Sequence, residues 1–133
     1  MRLVAMTIGL LGLLSSPALS EQTYPDLKGT WVGSDTGAFV TAMQFGTKAV
    51  PETVQIKLMV DQQNGKHLSG TISSAQIGQP FSGVIKSDGG ILMSQPTGLV
   101  EARLLGNDTI ETCYVRISAF SQMATCAELK RQK

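Results

Sequence analysis

What most constrains this chain is a succession of short runs in which apolar and polar residues alternate, each ended by turn-forming residues. The clearest occupies 54–61, where Val54, Ile56, Leu58 and Val60 share one face and Gln55, Lys57, Met59 and Asp61 the other. A period of two sends successive side chains to opposite sides of a β-strand, so one face is bound for a core. Asn64-Gly65 follows, a strong hairpin signal because both central positions of a type I′ turn take positive φ. The return strand is 67–74, with Leu68, Gly70 and Ile72 inward.

The scheme then repeats. Residues 81–87 match 68–74 in pattern, and glycines in mid-strand allow the sharp coiling that a closing sheet requires. Asp88-Gly89-Gly90 turns the chain into 91–95, and Pro96-Thr97-Gly98 leads to a run in which Val100, Ala102 and Leu104 oppose Glu101 and Arg103. Gly106-Asn107-Asp108 turns it back. The opening run, 27–34, puts Leu27, Gly29, Trp31 and Gly33 on one face, and that face, with the single tryptophan, is expected inside. Residues 35–51 show no strand pattern. Phe39, Val40 and Met43 are spaced for one helical turn, so a long connection is expected there, its apolar residues folding back onto the domain.

The last two strands, 109–117 and 122–131, can be registered by arithmetic. A hairpin centred between Ala119 and Phe120 pairs positions whose numbers sum to 239, and Cys113 and Cys126 satisfy that condition. They would face each other at a non-hydrogen-bonded pair, where side chains come closest, and form a disulfide. The same register puts Ile110, Tyr114, Arg116, Met123, Ala127, Leu129 and Arg131 on the inner face.

Eight strands joined by short turns form a meander, and closing it removes its unpaired edges. The expected fold is therefore all-β, an eight-stranded antiparallel up-and-down barrel; a two-sheet β-sandwich is the alternative that pattern alone leaves open. Closure sorts the loops. The turns at 64–65, 88–89 and 106–108 gather at one end with both termini, and the 35–51 connection, 75–80, 96–98 and 118–121 gather at the other. A binding mouth, if present, belongs at this second, loop-rich end.

Composition narrows the setting. Arg2, the apolar run 3–14 and the small residues around Ala18-Leu19-Ser20 read as a secretory signal peptide over 1–20, leaving 21–133 as one domain. The apolar run is about a dozen residues, short of the roughly 20 that span a bilayer, so no membrane anchor is expected. A periplasmic or secreted location follows, and there two cysteines most readily form one disulfide. Without the leader, basic and acidic residues balance, which speaks against nucleic acid as a partner.

Gly29-Thr30-Trp31 at the start of the first strand, with Arg131 near the end of the last, resembles the calycin pattern of lipocalins and avidins. The resemblance implies that Trp31 plugs the closed end and that Arg131 packs over it, with Gly29 structural beside them. Cation-π stacking of that kind is worth about 0.5 to 2 kcal/mol. Avidin-like biotin sites use several tryptophans and this chain has none after Trp31, so biotin binding is not carried over.

No catalytic constellation stands out. His67 is the only histidine, follows a turn and has no partner at metal-ligand spacing, so neither a metal site nor a general base is expected. Ser69 and Ser82 lack the Gly-x-Ser-x-Gly setting of an activated nucleophile. The expectation is a non-enzymatic barrel without cofactor that binds a small apolar or amphipathic ligand at the loop-rich end, near Phe39, Met43, Phe45, Tyr114 and Arg116. The alternative is a protein-binding module, such as a hydrolase inhibitor, presenting the 35–51 loop to a protein partner.

Overall fold

The computed structural model describes residues 23–42, 52–74, 77–118 and 121–133, with the backbone alone for 35–42, 52 and 121. Eight strands follow in order: β1 (Gly29–Ala42), β2 (Glu52–Asn64), β3 (His67–Ser73), β4 (Gly78–Ile85), β5 (Ile91–Gln95), β6 (Gly98–Leu104), β7 (Thr109–Ile117) and β8 (Ser121–Arg131). Each pairs antiparallel with its neighbour, and β1 pairs with β8, so the sheet closes into an up-and-down barrel. Among the described residues there is no helix. The sandwich alternative is thereby excluded.

Inside, the alternating positions form one core. Trp31, Leu58, Ile91, Met93, Ile110 and Leu129 are all fully buried, and Leu27 joins them from the segment ahead of β1. Burying each such side chain contributes roughly 1.5 to 3 kcal/mol relative to leaving it exposed. The outward positions of the same strands, among them Lys57, Ser82, Glu101, Arg103, Glu128 and Lys130, are exposed and polar. Apolar inside and polar outside is the reverse of the arrangement in a lipid-facing barrel.

Two local expectations need correction. Residues 35–42 do not begin a connection with a helical turn: they continue β1, which pairs Phe39 with Ala124, Val40 with Met123, Thr41 with Gln122 and Ala42 with Ser121. Strand pairing is carried by main-chain groups, which Asp35-Thr36-Gly37-Ala38 supplies without any apolar alternation. The pairing to β8 shifts register between Val32 and Phe39, which further hides the pattern. The remainder of the expected connection, 43–51, lies outside the described residues.

The second correction concerns the first hairpin. Asn64 still pairs with His67, so the turn residues are Gly65 and Lys66. Positive φ occurs at Gly65 (57°) and, among the described residues, at no non-glycine residue, which fits a type II′ rather than a type I′ turn. A register shift between Val60 and Gln62 absorbs the residue that moves the turn along by one.

The β7–β8 hairpin follows the expected register throughout. Cys113 faces Cys126, and the two form a disulfide with their Cα atoms 4.0 Å apart.

Candidate functional site

The two ends of the barrel are built differently. At the end where β1 begins and β8 finishes, Trp31 is completely buried and the Arg131 guanidinium lies over its ring, 4.1 Å from the centroid. The indole Nε1 donates to the Leu27 carbonyl at 3.0 Å. Arg131 donates from its two terminal nitrogens to the carbonyls of Lys28 (2.6 Å) and Asp26 (2.8 Å), and its Nε lies 3.5 Å from the Asp108 carboxylate. Gln63 ties in the lead segment, accepting from the Leu27 N–H and donating to the Pro25 carbonyl, each at 2.8 Å. Gly29 sits at φ 116°, a backbone conformation closed to most side chains, and thereby lets the chain turn into β1 beneath Arg131.

At the opposite end the described residues leave the interior open. A cavity of about 380 Å³ enters between the strand ends and is walled by Val54, Ile56 and Leu58 of β2, Ile72 of β3, Val100 of β6, and Ala127 and Leu129 of β8. Its volume falls at the lower end of what small-molecule pockets occupy. Most of its polar groups, among them Gln79, Gln95, Thr97, Tyr114, Arg116 and Thr125, lie toward the mouth, while deeper on β7 the buried Thr112 hydroxyl donates to the Ala127 carbonyl at 3.4 Å. Ile77 and Ile117 stand at the same end, 60% and 79% exposed.

Each inner polar group owes its position to the strand period. Thr112, Tyr114 and Arg116 alternate along β7, and Met123, Thr125 and Ala127 along β8, with Tyr114 opposite Thr125 and Arg116 opposite Met123. The hydrogen bonding around the mouth is uneven. The Thr97 hydroxyl donates to Gln79 Oε1 at 2.6 Å, and the Tyr114 hydroxyl lies 2.9 Å from Thr97 Oγ1 and donates to the Thr97 carbonyl at 3.1 Å. Across β7 and β8, by contrast, Arg116 Nε and Thr125 Oγ1 are buried with no hydrogen-bond partner. A buried donor left unmatched costs roughly 1 to 3 kcal/mol.

The residues singled out from sequence are thus only partly brought together. Tyr114 and Arg116 both line the cavity. Phe39 lies in β1, where its backbone pairs with Ala124; its side chain lies outside what is described. Met43 and Phe45 lie outside the described residues. Thr125 and the Gln79-Thr97-Tyr114 chain were not anticipated. Thr125 could have been found, since the register that marks Tyr114 as inward marks its partner too. The polar chain could not, because it joins the start of β4, the β5–β6 turn and the middle of β7, which are distant in sequence.

Among the described residues, no group of three or more His, Cys, Asp or Glu side chains gathers where it could hold a metal ion. No protein-family model matches the chain, and no curated protein does either. The barrel is consistent with a calycin-like fold on its own geometry, through closure over Trp31 by Arg131.

Proposed function

We propose that this is a non-enzymatic, exported, calycin-like barrel that takes a small apolar or amphipathic molecule into its loop-rich end, with Tyr114 and Arg116 at the mouth. The observation that carries the reading is the cavity of about 380 Å³, apolar at depth and polar at its entrance, in a barrel narrow enough to have been filled by its own side chains. The chain invests in keeping it open: the inner face carries Ala127 and Thr125 where larger side chains would fill the space. The Cys113–Cys126 disulfide is compatible with an oxidising compartment, and with the leader read over 1–20 it supports a periplasmic or secreted location.

The test is native mass spectrometry of the protein purified from its own exporting cells. A retained small mass, lost on mild activation, is the expected result. A clean apo monomer that also fails to take up any member of a small-molecule panel would reject it.

A second reading, a protein-binding module, is favoured by one observation on the outer wall. Leu99 and Val115 are cross-strand partners there, 44% and 43% exposed, and Ile117 continues the apolar surface toward the mouth. Exposed apolar patches of this kind mark contact surfaces when they are continuous. The same mass measurement separates the readings, since a protein partner is far heavier than a ligand.

A further inference from the structure

The two walls of the mouth differ in how their polar groups are satisfied, and that difference carries chemical information. On one wall Gln79, Thr97 and Tyr114 complete one another. On the other, the Arg116 Nε–H and the Thr125 hydroxyl are buried and unmatched. In the β7–β8 register Arg116 faces Met123 and Thr125 faces Tyr114, so the two open groups lie one diagonal step apart on the same inner face. Arg116 is also the one charged side chain among the described residues that line the cavity. Among the described side chains that line the cavity there is no aspartate or glutamate.

We infer that the ligand is a monoanionic amphiphile whose carboxylate accepts hydrogen bonds from the Arg116 guanidinium and the Thr125 hydroxyl, its apolar tail running down toward Leu58, Val100 and Leu129. This rests on the small-molecule reading above and specifies its head group. Among the described side chains lining the cavity no counter-charge meets this partly buried cation; a cation so placed is costly, and a ligand that brings a negative charge relieves the cost. One arginine offsets one negative charge. A phosphate monoester would leave a second charge in the same low-dielectric space, a neutral head group would leave the arginine uncompensated, and a cationic one would be repelled. A carboxylate also offers two acceptor oxygens to two donors, and charge-assisted hydrogen bonds to arginine are the strong ones. The volume, roughly that of a dozen waters, suits a medium-length tail rather than a diacyl lipid.

The inference is tested by isothermal titration of the oxidised protein with decanoate, decanol, decyl phosphate and decyltrimethylammonium, all below their micelle concentrations. Decanoate is expected to bind at least tenfold more tightly than decanol or decyl phosphate, and the ammonium compound not at all. Arg116→Met, with its fold checked by near-ultraviolet circular dichroism, should erase the advantage of decanoate over decanol while keeping decanol binding. Arg116→Gln should erase it too, so a folding defect in one variant does not decide the matter. Thr125→Val should weaken decanoate several-fold and leave decanol unchanged. Equal affinity for decanoate and decanol in the wild type, or a preference that survives both Arg116 variants, would overturn the head-group inference and leave the cavity reading standing. If none of the four compounds binds, both fall.

Discussion

The closed and open ends of this barrel are made of the same strands, yet they use their polar and charged groups in opposite ways. At the closed end a half-buried arginine has every contact it needs: an indole face, two backbone carbonyls and a carboxylate. At the open end a second arginine, on the strand paired to the first one's, has a buried Nε with no partner. On the proposed reading, a fold that satisfies one end so completely and leaves two buried donors unmatched at the other separates stability from recognition. The closed end holds the barrel shut, and the open end keeps donors in reserve.

The most severe way to break that division is Trp31→Ala. It removes the largest fully buried side chain and should cost roughly 3 to 5 kcal/mol, read as a fall in the urea midpoint. A loss below about 1 kcal/mol would mean that the indole is not what the closed end is built around. Next is the disulfide, which closes a loop of 13 residues between β7 and β8. Replacing both cysteines by serine should cost on the order of 3 kcal/mol in the chain-entropy account. Because the bond lies on the outer side of the barrel, the double variant, measured where it is still folded, should bind ligand as the wild type does.

A smaller effect of opposite sign is expected at the open end. Thr125→Val removes a buried hydroxyl that has no partner and keeps the shape of the side chain, so it should leave stability unchanged or raise it by about 1 kcal/mol. A clear loss would show that the hydroxyl is satisfied within the protein.

The smallest effect belongs to the Asp88 turn. The Gly90 N–H, which donates to the Asp88 carboxylate at 2.9 Å, and the Lys86 ammonium 3.7 Å away hold that carboxyl below its ordinary value. A folded-state value below the unfolded one contributes stability that is present above the unfolded value and is lost as pH falls through the folded one. Since the group is fully exposed, Asp88→Asn should barely change the melting temperature at neutral pH and should only flatten its acid limb.

Much of this contrast is legible in the sequence at one end and little at the other. Alternation in 54–60 marks an inner face, the cysteine spacing sets the β7–β8 register, and Trp31 with Arg131 identifies the seal. Each of these signals is local or depends on a single pairing. The second half of β1 escaped notice because main-chain pairing to β8 needs no side-chain pattern, and the Asp35 to Ala38 stretch offers none. The turn was misplaced by one residue because a register shift in β2 leaves no mark in composition. At the mouth, Tyr114 and Arg116 follow from the hairpin register. That the first is satisfied and the second is not depends on where Thr97 and Gln79 arrive from other strands.

The separation of a sealing end from a receiving end can be put to one paired measurement: urea unfolding of Arg131→Met and Arg116→Met side by side, at the same pH and without ligand. Losing Arg131 strips contacts from an indole and from two backbone carbonyls, and should cost about 2 kcal/mol. Losing Arg116 removes a buried, unmatched donor from a cavity wall and should cost nothing or add stability. Equal losses from the two substitutions would contradict it, because Arg116 would then be as much a part of the barrel's own framework as Arg131.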